Sequence, residues 1–153
     1  MAIFKPSDLR AAVPEGGRLL GLDLGERTIG LAVSDGGWRV ASAVGTLARG
    51  KFSKTVDALL VEVDARAAGG LVLGLPLDLD GGENRRSQAT RDWARELLTR
   101  RDLPIALWDE RLSTQAVERM MLAEDMTRQR RKARKDTLAA TYILQGFLDA
   151  HGA

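Results

Sequence analysis

The sequence predicts an α/β domain: a mixed five-stranded sheet with helices on both faces, in the order βββαβαβαα. Three observations predict it. Three apolar runs parted by short turns come first, two more alternate with segments of helical period, and a helix with a long apolar stripe closes the chain. With 153 residues, 44% of them hydrophobic and 29% charged, one core is expected, and a domain of this size needs neither disulfides nor a structural metal to fold.

Residues 1–17, MAIFKPSDLRAAVPEGG, read as a flexible leader with some apolar side chains placed to dock; they lack the uninterrupted apolar stretch of a secretory signal. From Arg18, RLLGLDL has the apolar character of a buried strand and GERT that of a turn; TIGLAVSD reads as the second strand. Gly36-Gly37 marks a hairpin, and WRVASAVGTL completes a meander. Val56, Leu59, Leu60 and Val63 recur at helical spacing within residues 53–68. LVLGLPL is the fourth strand, DLDGGE a loop, and a polar helix runs from about Asn84 to Arg101 with Trp93, Leu97 and Leu98 on one face. PIALWDE is the fifth strand. Thr114 to Glu124 reads as a third helix, with Ala116, Val117, Met120 and Met121 inward, and Asp136 to Ala150 as a fourth. The first three strands should be antiparallel and the last two parallel to the first, which is the ribonuclease H-like topology, spanning residues 18–150.

The residue counts exclude several chemistries. There is no cysteine, and the only histidine is His151, three residues from the end, so thiolate zinc sites, Ser/His/Asp triads and multi-histidine metal sites are ruled improbable. Catalysis, if present, falls to carboxylates, with or without a hard metal ion. No apolar run approaches the roughly 20 residues of a membrane span, and a cytoplasmic protein is expected. The net charge of +2 is small but uneven: RQRRKARK, from Arg128 to Lys135, holds Arg128, Arg130, Arg131, Lys132, Arg134 and Lys135, and the rest of the chain is net negative. Such a block is either a solvated loop or a mobile arm that orders on phosphates.

Three places offer a carboxylate where one is costly. Asp23 alone interrupts the first apolar strand; it is either a metal-binding acid or a strand-end carboxylate bonded to the turn amides of Gly25 to Arg27. Asp109 and Glu110 end the fifth strand on the sheet edge where α/β folds place ligands; because successive residues alternate only one should face the site, position alone does not choose which, and the alternative for either acid is an ion pair with Arg111. Asp136, Ala140, Ile143 and Phe147 fall on one helix face, which makes Asp136 either a site residue or an N-cap. Three acids converging there would form an oxygen-only site for Mg²⁺ or Mn²⁺, suited to phosphodiester hydrolysis. Asp35 belongs to a turn at the opposite end of the sheet. Asp78 and Asp80 are loop acids beside the cleft, and Ser113-Thr114 is a helix cap in which Thr114 could meet a phosphate.

Taken in order, LLGLDLGERTIGLAVSD, LVLGLPLDLDGG, WDERLST and KDTLAATYILQGFLD resemble the signatures of the YqgF family, also called RuvX, from about Arg18 to Asp149. The resemblance implies a RuvC-like variant of the ribonuclease H fold and a metal-dependent nuclease, acting on four-way DNA junctions or on the 5′ end of the small-subunit ribosomal RNA precursor. It carries the family acids onto Asp23, Glu110 and Asp136, and so favours Glu110 over Asp109. Structured RNA or branched DNA would be the partner, and junction resolution would further require a homodimer. Two other classes compete. DLGERTIG also resembles the phosphate loop of actin-like ATPases and sugar kinases, which need a pair of such domains; a noncatalytic RNA-binding module for ribosome assembly would keep the fold without the chemistry.

Overall fold

The computed structural model describes residues 3–111 and 128–152, with residues 128–136 described as backbone only. Six strands form one sheet: β1 (Ile3–Phe4), β2 (Arg18–Leu24), β3 (Thr28–Ser34), β4 (Ala41–Ala48), β5 (Ala68–Leu75) and β6 (Ile105–Asp109), in the spatial order β1-β6-β5-β2-β3-β4. β3 runs antiparallel to both β2 and β4, whereas β2, β5, β6 and β1 are mutually parallel. Among the described residues the α-helices are α1 (Leu9–Ala12), α2 (Phe52–Ala65), α3 (Arg85–Arg100) and α4 (Arg128–His151).

Strand alternation divides the core into two layers. Leu20, Leu22, Leu71, Leu73 and Ile105 point to one face and pack with Val56, Leu59 and Val63 of α2 and Trp93, Leu97 and Leu98 of α3. Leu19, Ala32, Val72 and Ala106 point to the other and pack with α1 and with Ala140, Ile143, Leu144 and Phe147 of α4. The helix stripes expected for α2, α3 and α4 are the faces that are buried.

Four expectations require correction. The sheet has six strands rather than five, because the leader contributes one: Ile3 pairs with Ile105 and Phe4 with Ala106, and Leu9 and Val13 are buried beyond them. A two-residue strand is too short to show a period. β4 begins at Ala41, since Trp38 takes φ +58° and turns into the core, where its indole donates to Gly17 O at 2.8 Å and its ring meets Phe147. The basic stretch from Arg128 to Lys135 is helical backbone continuous with α4 rather than a segment between two helices. Asp136 accordingly lies well inside that helix, which removes the N-cap reading. The expected helix from Thr114 to Glu124, with Thr114 itself, lies outside the described residues.

Contacts along α4 fix its direction over the sheet. Near its C-terminus Phe147 packs on Trp38 and Gln145 bonds Arg39 O and Ala41 N, all close to the N-terminal end of β2, where Gly17 receives the Trp38 indole. Further back, Ala140 and Leu144 lie over Gly21, and Ile143 over Gly74. α4 thus runs antiparallel to β2, and its N-terminal turns head for the C-terminal ends of β2 and β5.

A carboxylate edge and its basic flanks

The candidate site is built on positions that lack side chains. Asp23 lies on the α4 face of β2, two residues beyond Gly21; its partner on β3 is Gly30, and the parallel register, extended one step from Leu22 opposite Leu73, sets it against Gly74 on β5. Both flanks of the carboxylate are therefore bare. Glu110 follows Ala106 and Trp108 on the same face of β6, and its Oε2 lies 2.8 Å from where a Cβ on Gly74 would stand. A glycine between β6 and β2 lets the longer glutamate lean across β5 toward Asp23. Gly21 and Gly74 also allow α4 its close approach, because a Cβ at either would lie within 3 Å of atoms of that helix.

Asp109 takes the other role. Its carboxylate receives Nε and Nη2 of Arg111 together with the Arg111 amide, and these bonds hold it below the usual carboxylate range. Arg111 in turn donates to Leu79 O at 3.1 Å, so the pair staples the β5–α3 loop to the end of β6. Glu110 has the opposite electrostatics: burial pushes its carboxyl above the ordinary glutamate value, the charge of Arg86 pulls it back, and Asp109 adds to the rise. Two adjacent acids thus have separate tasks, and alternation along the strand end explains which has which.

Asp136 is placed by its backbone alone. It precedes Ala140 by one turn, about 6 Å along the helix. Asp23 lies two residues, about 6.6 Å, beyond Gly21 in the same direction, so the backbone at 136 comes level with Asp23 along the sheet. Among the described residues no three His, Cys, Asp or Glu side chains gather into a metal-binding cluster; the Asp136 side chain falls outside them, as do those of Arg128, Arg130, Arg131, Lys132, Arg134 and Lys135.

The remaining acids are structural. Asp35 Oδ1 accepts from the amides of Arg39 and Val40 in its turn. Asp78 accepts from Asn84 Nδ2 and Asp80 from the Gly82 amide, both within the β5–α3 loop. His151 packs edge-on against Trp108 and lies beside Phe147. A groove of about 790 Å³ lies at the far end of the sheet, lined by Phe4, Pro14 and Pro104 among others, and is remote from Asp23 and Glu110. A smaller cleft of about 200 Å³ does adjoin the site, lined by Leu24, Gly25, Glu26, Arg49, Pro76, Arg86, Ala89 and Thr90. Neither Arg49 nor Arg86 stood among the residues expected from the sequence. The signal available was Arg85-Arg86 opening a helix whose first turn has no acid, against the usual preference there.

No helix among the described residues is long and apolar enough to cross a membrane. A family profile described as "RuvX: Holliday junction resolvase" matches residues 17–150. A protein of Rhodospirillum centenum named "Putative pre-16S rRNA nuclease" is 53% identical over 97% of this chain and 82% of its own length. One of the same name from Rhodospirillum rubrum is 56% identical over 91% and 87%. Among solved structures, Thermus thermophilus RuvC in complex with a Holliday junction substrate superposes with a TM-score of 0.55 over 88% of this chain and 95% of that one, at 12% identity. The fowlpox virus Holliday junction resolvase does so at 0.54 over 87% and 98%, at 8% identity. At such identities these two speak for the fold alone, which is that of the RuvC-like ribonuclease H group. By the profile and its close relatives, this chain belongs to the RuvX (YqgF) family of nucleases.

Proposed function

We propose that this protein is a metal-dependent phosphodiesterase that acts in the cytoplasm on the precursor of the small-subunit ribosomal RNA, with Asp23, Glu110 and Asp136 holding Mg²⁺ or Mn²⁺. The observation that carries the reading is the carboxylate edge itself: Asp23 between two bare glycine positions, and Glu110 leaning over one of them. The donor set fits a hard cation. Its groups are all carboxylates, and Glu110 is a half-buried acid whose ionised form burial disfavours, as a ligand that gains its counter-charge from a metal would be. When bound, the metal supplies an activated water and stabilises the departing oxygen.

The chain's own residues do the rest. β2 presents Asp23 from a rigid strand, so no ordering entropy is spent at the moment of reaction. Gly74 leaves the room in which Glu110 turns inward. The Asp109–Arg111 pair fixes the neighbouring loop, and the basic turns of α4 provide charge for the substrate's phosphates. The names of the close relatives favour the RNA precursor over a four-way junction, and this substrate needs no paired active sites.

Asp23→Asn and Glu110→Gln should each lower cleavage of a labelled precursor fragment in Mg²⁺ or Mn²⁺ by more than about 100-fold, with folding and RNA affinity nearly unchanged. Asp109→Asn should cost less than about tenfold, because it loosens a loop and removes no ligand. Full turnover by Asp23→Asn would overturn the proposal. A four-way junction and a linear duplex are run beside the RNA, and preferential cutting of the junction would reassign the substrate.

A further inference from the structure

We propose that the cleft between the β2–β3 turn and the start of α3 is a second phosphate subsite, in which Arg86, seated beside Arg49, holds a backbone phosphate of the substrate strand next to the one being cut. The inference rests on the nuclease reading and specifies how the strand lies. It crosses the C-terminal edge of the sheet from the basic turns of α4 on one face to the arginines of α3 on the other, with the carboxylates between.

Of the two arginines that open α3, Arg85 and Arg86, only Arg86 lines the cleft. The other arginines of α3 and the one that follows it mostly have carboxylate partners: Arg91 with Glu83, Arg95 with Asp92, Arg100 with Asp57 and Arg101 with Asp64. The Arg86 side chain is exposed and makes no hydrogen bond or ion pair among the described residues, although its charge bears on Glu110. It therefore stands within electrostatic reach of the carboxylate edge with its donors uncommitted.

The cleft has suitable walls. Arg49 donates to Gly25 O at 2.7 Å and its amide bonds Arg27 O, so it pins the β2–β3 turn that forms one wall, and it lines the space itself. Leu24, Pro76 and Ala89 give an apolar floor of the kind a sugar ring can rest on. The volume, about 200 Å³, is too small for a drug-sized ligand and suits a phosphodiester with its sugar. Glu26 also borders the cleft, but two arginines outweigh it. α3 begins beside this edge, opening with Arg85-Arg86 and without an acid in its first turn. A helix start leans toward anions already, so two arginines at the start of α3 make an anion the missing partner on that flank.

The test uses the full chain carrying Asp23→Asn, so that substrate is bound and not consumed. A fluorescent precursor-rRNA fragment with one neutral methylphosphonate linkage, moved in steps away from the cleavage site, is titrated at several salt concentrations. With Arg86 present, neutralising one particular linkage beside the cleavage site should weaken binding about tenfold. Arg86→Ala should weaken the unmodified RNA to the same extent, lower the slope of log K against log salt by about 0.7, and make that linkage indifferent. Arg86→Lys should restore most of the affinity and the slope, which a merely structural role would not predict. An unchanged slope in Arg86→Ala, or equal sensitivity to every linkage, would overturn the subsite. If the chain with native Asp23 cuts the RNA while Arg86→Ala binds normally, the nuclease reading stands and the subsite falls. If the linkage effect appears but native Asp23 gives no cleavage, the subsite stands as a binding site and the nuclease reading falls.

Discussion

A methyl group added at Gly74 would come 2.5 Å from Ile143 Cδ1 and 2.8 Å from Glu110 Oε2, so this one position controls both the seating of α4 and the direction of a site carboxylate. Gly74→Ala should cost about 1–3 kcal/mol through overpacking, seen as a lower urea midpoint, and should also lower cleavage under conditions where the variant is fully folded. Normal cleavage in the folded variant would show that Glu110 does not need that space. Asp35 makes a contrasting prediction at the far end of the sheet. The amides of Val40 and Arg39 hold its carboxyl below the usual range. A depressed folded value means its contribution is complete above about pH 4 and is lost as pH falls through that lower value. The urea midpoints of the native chain and Asp35→Ala should therefore differ at neutral pH and converge in acid; a constant gap would assign the turn's stability to something other than this charge. Gly74 and Asp35 are plain in the sequence as residue types, but their neighbours are not.

At the scale of elements, α4 is where sequence and structure differ most usefully. Its apolar stripe is legible from Asp136 onward, because Ala140, Ile143 and Phe147 keep the 3.6-residue period. The eight residues from Arg128 carry no apolar period at all, and a helix without an apolar face cannot be told from a charged loop by pattern. The helical backbone changes what the basic block can do. On a helix Arg130 and Arg134 share a face, as do Arg128, Arg131 and Lys135, so one strand cannot meet them all. Replacing Arg130, Arg131 and Lys132 with Ala should therefore lower the salt slope by fewer than three contacts, at about 0.7 to 0.9 each. A fall by three full contacts would mean that the helix gives way on the substrate. β1 and the start of β4 escaped notice for different reasons: one is two residues long, and the other is delayed by a tryptophan at positive φ that packs in the core.

The molecule as a whole is three layers, and Phe147 ties α4 to the sheet. It is fully buried and meets Trp38 beyond β3 and Trp108 on β6. Phe147→Ala should cost about 3–5 kcal/mol, a large part of the stability of a domain this size, and is checked by denaturant unfolding; a loss below about 1 kcal/mol would mean that α4 docks by other contacts. By itself the sequence determined the class of fold, the order of its principal elements, the lack of any cysteine and the three acids worth considering, because periodicity, turn residues and composition are local properties. Only the tertiary structure showed that Asp109 is held by Arg111 while Glu110 reaches over Gly74, that Asp136 is no helix cap, that glycines at 30 and 74 flank the Asp23 position, and that Arg86 stands across the edge from α4. These depend on strand register, helix direction and the closeness of packing between residues far apart in the chain, and such distances exist only once the layers have closed on one another.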